Sequence, residues 1–165
     1  MSVEKTVELR HKGAMRFAAV TGSGHEVVFD NRVGDTGAGP TEVLLAALAA
    51  CTAMDVASIM VKKRQVVDSY RVQARAVRRN EYPQVFTRIE LVHEVEGADV
   101  GEAQVRRCIE LSATKYCPLS AMLAAGDTEI HHRYRLRRTG GAAYEAEGEV
   151  MVTGPYRRPD IVATR

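Results

Sequence analysis

Short alternations of apolar and polar positions open the chain. Over residues 3–30, Val7 and Leu9 are set among polar neighbours, and the runs at 17–20 and 26–29 flank the turn sequence TGSG, so a hairpin or meander is expected. Residues 30–40 (DNRVGDTGAGP) are rich in Gly, Asp, Asn and Pro and read as a loop. Pro40 suits the first turn of a helix, where its missing N–H would be unpaired anyway.

From 41 to 64 there is no Gly or Pro, Ala and Leu dominate, Glu42 lies in the first turn and Lys62, Lys63 and Arg64 in the last. Both charge biases favour a helix by complementing its dipole. Between Val43 and Val61 the clearly polar side chains are Thr52, Asp55 and Ser58, so this helix is apolar nearly all round and must be covered on more than one side. Residues 69–79 and 84–95 alternate apolar and charged positions around NEYP and predict two half-buried antiparallel strands. Residues 99–115 carry the apolar stripe of a second helix, Pro118 starts a further turn that Gly126 should stop, 128–138 is a strong strand, and 144–152 is one more. The order predicts an α+β fold with antiparallel pairing. A second copy of the chain is the simplest cover for the long apolar helix.

Composition adds bounds. The 165 residues are 45% hydrophobic and 27% charged, as in a globular domain able to form its own core. The net charge of +2 gives no reason to expect a nucleic-acid or acidic-membrane partner. Residues 133–165 hold seven Arg against four acids, so the tail is mildly basic. The N-terminus lacks the apolar core of a signal peptide, and the longest apolar run, nine residues from Val43 to Cys51, is short for a membrane span. Three cysteines at 51, 108 and 117 do not resemble a secreted disulfide framework, and a reducing, cytoplasmic setting is expected.

Cys51 lies mid-helix, on a face shared with Leu44, Leu48 and Asp55. A small buried hydrophobe and a reactive thiol are both compatible with that position. Cys117 precedes Pro118 at a helix start, where free N–H groups stabilise a thiolate. Cys108 falls on the face of Val105 and Leu111 and reads as core. Glu42 needs no role beyond complementing the dipole, whereas Asp55, an acid inside an apolar helix, requires a partner. No CxxC or HxxxH spacing occurs, and adjacent His131 and His132 on a strand face opposite ways, so no metal or other cofactor is expected. Nucleotide-binding and hydrolase-elbow motifs are missing too.

The segment GPTEVLLAALAACTAMDVASIMVKKR, taken with LSATKYCPLSAML 66 positions later between its cysteines, resembles the OsmC/Ohr family of thiol-dependent peroxide reductases. The likeness runs from about Met15 to Tyr134. It implies an OsmC-like domain over 1–138, antiparallel sheets around a long buried central helix, and an intertwined homodimer with its sites at the interface. Residues 139–165 form a C-terminal extension with one more strand and a basic tail. The resemblance further implies that Cys51 is the peroxidatic thiol, Cys117 the resolving thiol and Glu42 the family glutamate, with Arg16 or Arg32 as the cation holding the thiolate. The expected activity is reduction of organic hydroperoxides, H2O2 included as a lesser substrate, through a sulfenate and disulfide recycled by an external dithiol reductant. The wording around GHEVVFD and CTAMDV points to a less characterised branch. The alternative is a non-catalytic dimer that binds a small or acyl ligand in its interface pocket.

Overall fold

In a computed structural model of the chain, residues 4–155 are described. The expected basic tail beyond them lies outside the described residues. The chain divides into two compact units, 1–44 and 45–165.

In the first unit, β1 (Val7–His11), β2 (Phe17–Thr21) and β3 (Glu26–Phe29) form an antiparallel sheet in that order, as the turn signals predict. The loop after β3 is organised by Asp30, whose carboxylate accepts from the Asn31 N–H at 2.7 Å, the Thr36 N–H at 3.2 Å and the Thr36 hydroxyl. Gly34 is required there, since a Cβ on it would collide with the Asp30 carboxylate oxygens. Helix α1 (Pro40–Lys62) begins at the proline. Its first turn is capped by Glu42, which accepts from the Gly39 N–H at 2.8 Å and satisfies a donor that precedes the helix.

The second unit takes up the body of α1 and continues through β4 (Ser69–Arg78), β5 (Phe86–Gly97), α2 (Glu102–Leu111), α3 (Pro118–Ala124), β6 (Glu129–Arg138) and β7 (Tyr144–Thr153). The sheet order is β4-β5-β6-β7. Pairing is antiparallel except between β5 and β6, which run parallel. The exception to the expected antiparallel pattern has a topological cause: α2 and α3 intervene as a crossover, and a crossover delivers the next strand in the same direction. Strand β7, the first part of the expected extension, pairs along β6.

Alternation along β6 decides the two faces of this sheet. Ile130, His132, Tyr134 and Leu136 point into the core, while Arg133, Arg135 and Arg137 point outward and pair with Glu90, Glu94 and Glu96 on β5. One core cluster gathers Val56, Met60, Val95, Val105, Cys108, Ile109 and Leu136, which places Cys108 in the apolar interior as expected. A second gathers Leu48, Ile89, Leu91, Ile130 and Cys117.

Within one chain, α1 is buried along a single stripe, Leu48, Thr52, Val56 and Met60, at four-residue steps. Met54 and Val61 are each 74% exposed. The helix is also long and apolar enough, by length and composition, to cross a membrane; here its buried stripe packs into a core and carries a hydrogen-bonded threonine.

Candidate active site: a thiol pair between two helices

Three elements of the second unit converge on Cys51. Cys51 itself comes from α1, half-buried beside the inward stripe. Helix α2 ends at Leu111 and passes into a five-residue π-helical turn, Ser112–Tyr116, closed by the Cys117 N–H donating to the Ser112 carbonyl at 2.9 Å. A regular helix through 115 was expected. The wider turn lets the chain present Ser112 to α1 and deliver Cys117 to the start of α3, a use typical of π-turns at functional sites.

Cys117 is the N-cap of α3. Its sulfur accepts from the Ser120 N–H at 3.4 Å, and its thiol donates to the Cys51 sulfur at 3.0 Å. Both thiols are free, and their sulfurs are about 1 Å beyond bonding distance. Around them lie Leu48, Ala49, Leu119 and Leu123 of the second core cluster, so the pair rests on apolar surface.

Asp55, one turn after Cys51, has the partner that its position demands. It accepts from the Ser112 hydroxyl at 3.0 Å, and Ser112 lies 3.0 Å from the Thr52 hydroxyl. Ser112 has one hydroxyl proton, and it goes to Asp55. Thr52 must therefore donate to Ser112, giving a one-way relay Thr52 to Ser112 to Asp55. The Cys51 sulfur, the Cys117 sulfur and an Asp55 oxygen all lie within 4.8 Å of one another.

The electrostatics of this group oppose a thiolate at Cys51. Burial pushes its thiol up to about 11, helped by the hydrogen bond from Cys117 and the negative charge of Asp55, while the Leu119 backbone N–H pulls the other way. The sequence offered no donor to a mid-helix cysteine, and Leu119 supplies one from α3.

The other expected site residues belong to the first unit. Glu42 caps α1 through Gly39. Arg16 and Arg32 are exposed, and the Arg16 charge is among the influences that hold the Asp30 carboxyl below its usual range, behind the hydrogen bonds from Thr36 and Asn31.

A profile of OsmC-like proteins matches residues 33–133, well over half of the chain. This protein belongs to the OsmC-like family. It is 38% identical over 122 residues to protein YhfA of Escherichia coli K12, across 74% of this chain and 90% of that one. Among solved structures, a hypothetical protein from Aquifex aeolicus VF5 superposes with a TM-score of 0.73 at 28% identity, over 84% of this chain and 99% of its own. The organic hydroperoxide resistance protein OhrB of Bacillus subtilis shares the fold, with a TM-score of 0.53 at 16% identity, over 78% of this chain and 97% of its own. The OsmC-like fold thus brings together the two cysteines that the sequence singled out. Sequence reasoning missed Ser112 and Leu119; neither has a chemical signature in a linear sequence, and only the unexplained acid at 55 hinted at a polar neighbour.

Proposed function

We propose that this OsmC-like protein is a two-cysteine peroxidase that reduces organic hydroperoxides. The observation that carries the reading is the 3.0 Å approach of the Cys51 and Cys117 sulfurs. The hydroperoxide resistance named for the B. subtilis neighbour supports the substrate class, as does the apolar surface under the pair, where each buried methylene of a substrate tail contributes about 0.8 kcal/mol.

In the proposed cycle the Cys51 thiolate attacks the outer oxygen of the hydroperoxide. The O–O bond breaks, the alkoxide leaves and takes a proton as the alcohol, and Cys51 becomes a sulfenic acid. The Cys117 sulfur then attacks the Cys51 sulfur, hydroxide leaves as water, and a disulfide remains. An external dithiol restores both thiols by exchange. Cys51 is the attacking residue because it is the less buried of the two; Cys117 is already the donor in their hydrogen bond and so faces the sulfur it must attack.

With its thiol pushed up to about 11, Cys51 needs a counter-charge to form the attacking thiolate, and Arg16 or Arg32 is proposed to supply it, with Glu42 orienting that arginine. The exposed apolar face of α1 is proposed to be covered by a second copy of the chain. A second reading draws on the same thiol: a cysteine this poorly ionised at neutral pH suits a non-catalytic dimer that holds a small or acyl ligand.

Hydroperoxide consumption with excess dithiol separates the two. Cys51→Ser should abolish it, and Cys117→Ser should allow one oxidation event per chain and then stall. Arg16→Ala and Arg32→Ala identify the cation, since loss of the right one slows the first step. Equal consumption by wild type and Cys51→Ser would leave only the binding reading.

A further inference from the structure

We propose that the reduced Cys51, Asp55 and Cys117 triangle is a binding site for a soft divalent cation of the Zn2+ kind, and that cation binding and disulfide formation exclude each other. The sequence carries no metal-spacing motif because the donors come from α1 and from the start of α3, which only the fold joins.

The donor set fits the ion. Two sulfurs and one carboxylate oxygen lie within 4.8 Å of one another, and two thiolates select a borderline-soft cation over Mg2+ or Ca2+, which require oxygen ligands. Tetrahedral zinc holds sulfur at about 2.3 Å, which separates two sulfur ligands by about 3.8 Å. The sulfurs now stand 3.0 Å apart and must separate by about 0.8 Å to take that geometry, which the loss of both thiol protons, and with them of the contact between the thiols, allows. Asp55 is held in place by the Ser112 hydroxyl, the supporting hydrogen bond that oriented carboxylate ligands require. Three protein donors leave a fourth position for water or an exogenous ligand.

Charge balance favours the exchange. Two thiol protons go to solvent and one dication enters, so the net charge of this partly buried group does not change. Once the 51–117 disulfide forms, both sulfur donors are consumed and the carboxylate alone remains. Binding at this site would also take Cys51 away from hydroperoxide, so the cation would act as a redox-dependent inhibitor of the proposed peroxidase.

The test uses the full chain, reduced and freed of metal, titrated with Zn2+ against a chromogenic chelator. One Zn2+ per chain should bind at micromolar concentration or below with release of two protons near pH 7, and Mg2+ should not compete. Oxidation of the wild type to the disulfide should weaken binding at least 100-fold without any substitution, so folding of a variant is not at issue. Asp55→Asn should weaken it about tenfold or more, and Cys108→Ser should leave it unchanged. No binding by the reduced protein, or binding that survives oxidation or Cys51→Ser, would overturn the proposal. Consumption of hydroperoxide in metal-free buffer reads the dithiol cycle separately, so either idea can fail while the other stands.

Discussion

Ser112 donates its single hydroxyl proton to Asp55 at 3.0 Å, a contact between residues 57 positions apart that fixes a carboxylate one helical turn from the half-buried Cys51. That charge is part of why the Cys51 thiol is held up to about 11. Removing it should show in the thiol's titration. In Asp55→Asn the alkylation midpoint of Cys51 should fall below the wild-type value but stay above that of a free thiol, about 8.5, because burial is the larger cause and remains. Rates of iodoacetamide labelling at Cys51, followed by mass spectrometry from pH 7 to 11, measure the shift. An unchanged midpoint would remove Asp55 from the electrostatics of the pair.

Acid should destabilise the fold through two interior histidines. His93 and His132 are both 0% exposed. Tyr70 and Nδ1 of His93 share a 2.7 Å hydrogen bond, and His132 Nε2 is 3.2 Å from the Thr153 hydroxyl. Burial, reinforced by the neighbouring His132, lowers His93 to about 3; burial, reinforced by His131, lowers His132 to about 4. Unfolded, both titrate near 6.5. Below that pH the unfolded chain binds protons that the folded one refuses, so stability present at pH 7 is lost as pH falls from about 6.5 toward 3 to 4. The thermal midpoint should drop steadily across that window, and His132→Asn should flatten the slope. A midpoint independent of pH from 7 to 4.5 would contradict the buried, neutral assignment.

The chain should be a dimer in solution. Met54 and Val61 leave α1 with apolar surface at 74% exposure each, more than a helix this apolar can give to water without association. Light scattering at micromolar concentration should give twice the mass of the chain. Met54→Lys with Val61→Glu should shift it toward monomer while retaining the far-ultraviolet circular dichroism of the fold. A wild-type monomer would remove the covered helix face and any site built at an interface.

Helix α1 was legible because its signals are local: Pro40 at the start, Glu42 in the first turn, and no Gly or Pro until after Lys62. Strands β4 and β5 were legible for the same reason, through two-residue alternation that matches the pleat. The parallel β5–β6 pair was not, since strand direction depends on where the crossover of α2 and α3 returns the chain. Nor was the π-turn, where one added residue per turn redirects Ser112 and Cys117 with no change in composition. Cys51 and Cys117 stood out through their family likeness and the helix start at Pro118. The acid at 55 was marked by its apolar setting, but its partner Ser112 becomes a neighbour only after folding.

One equivalent of an organic hydroperoxide, added to the reduced protein, tests the dithiol account most directly when the products are mapped by peptide mass spectrometry. Two thiols and one hydroperoxide should give one disulfide, one alcohol and one water, with the disulfide joining Cys51 to Cys117 and Cys108 still open to alkylation after denaturation. Untouched thiols, or a dominant linkage through Cys108, would contradict it.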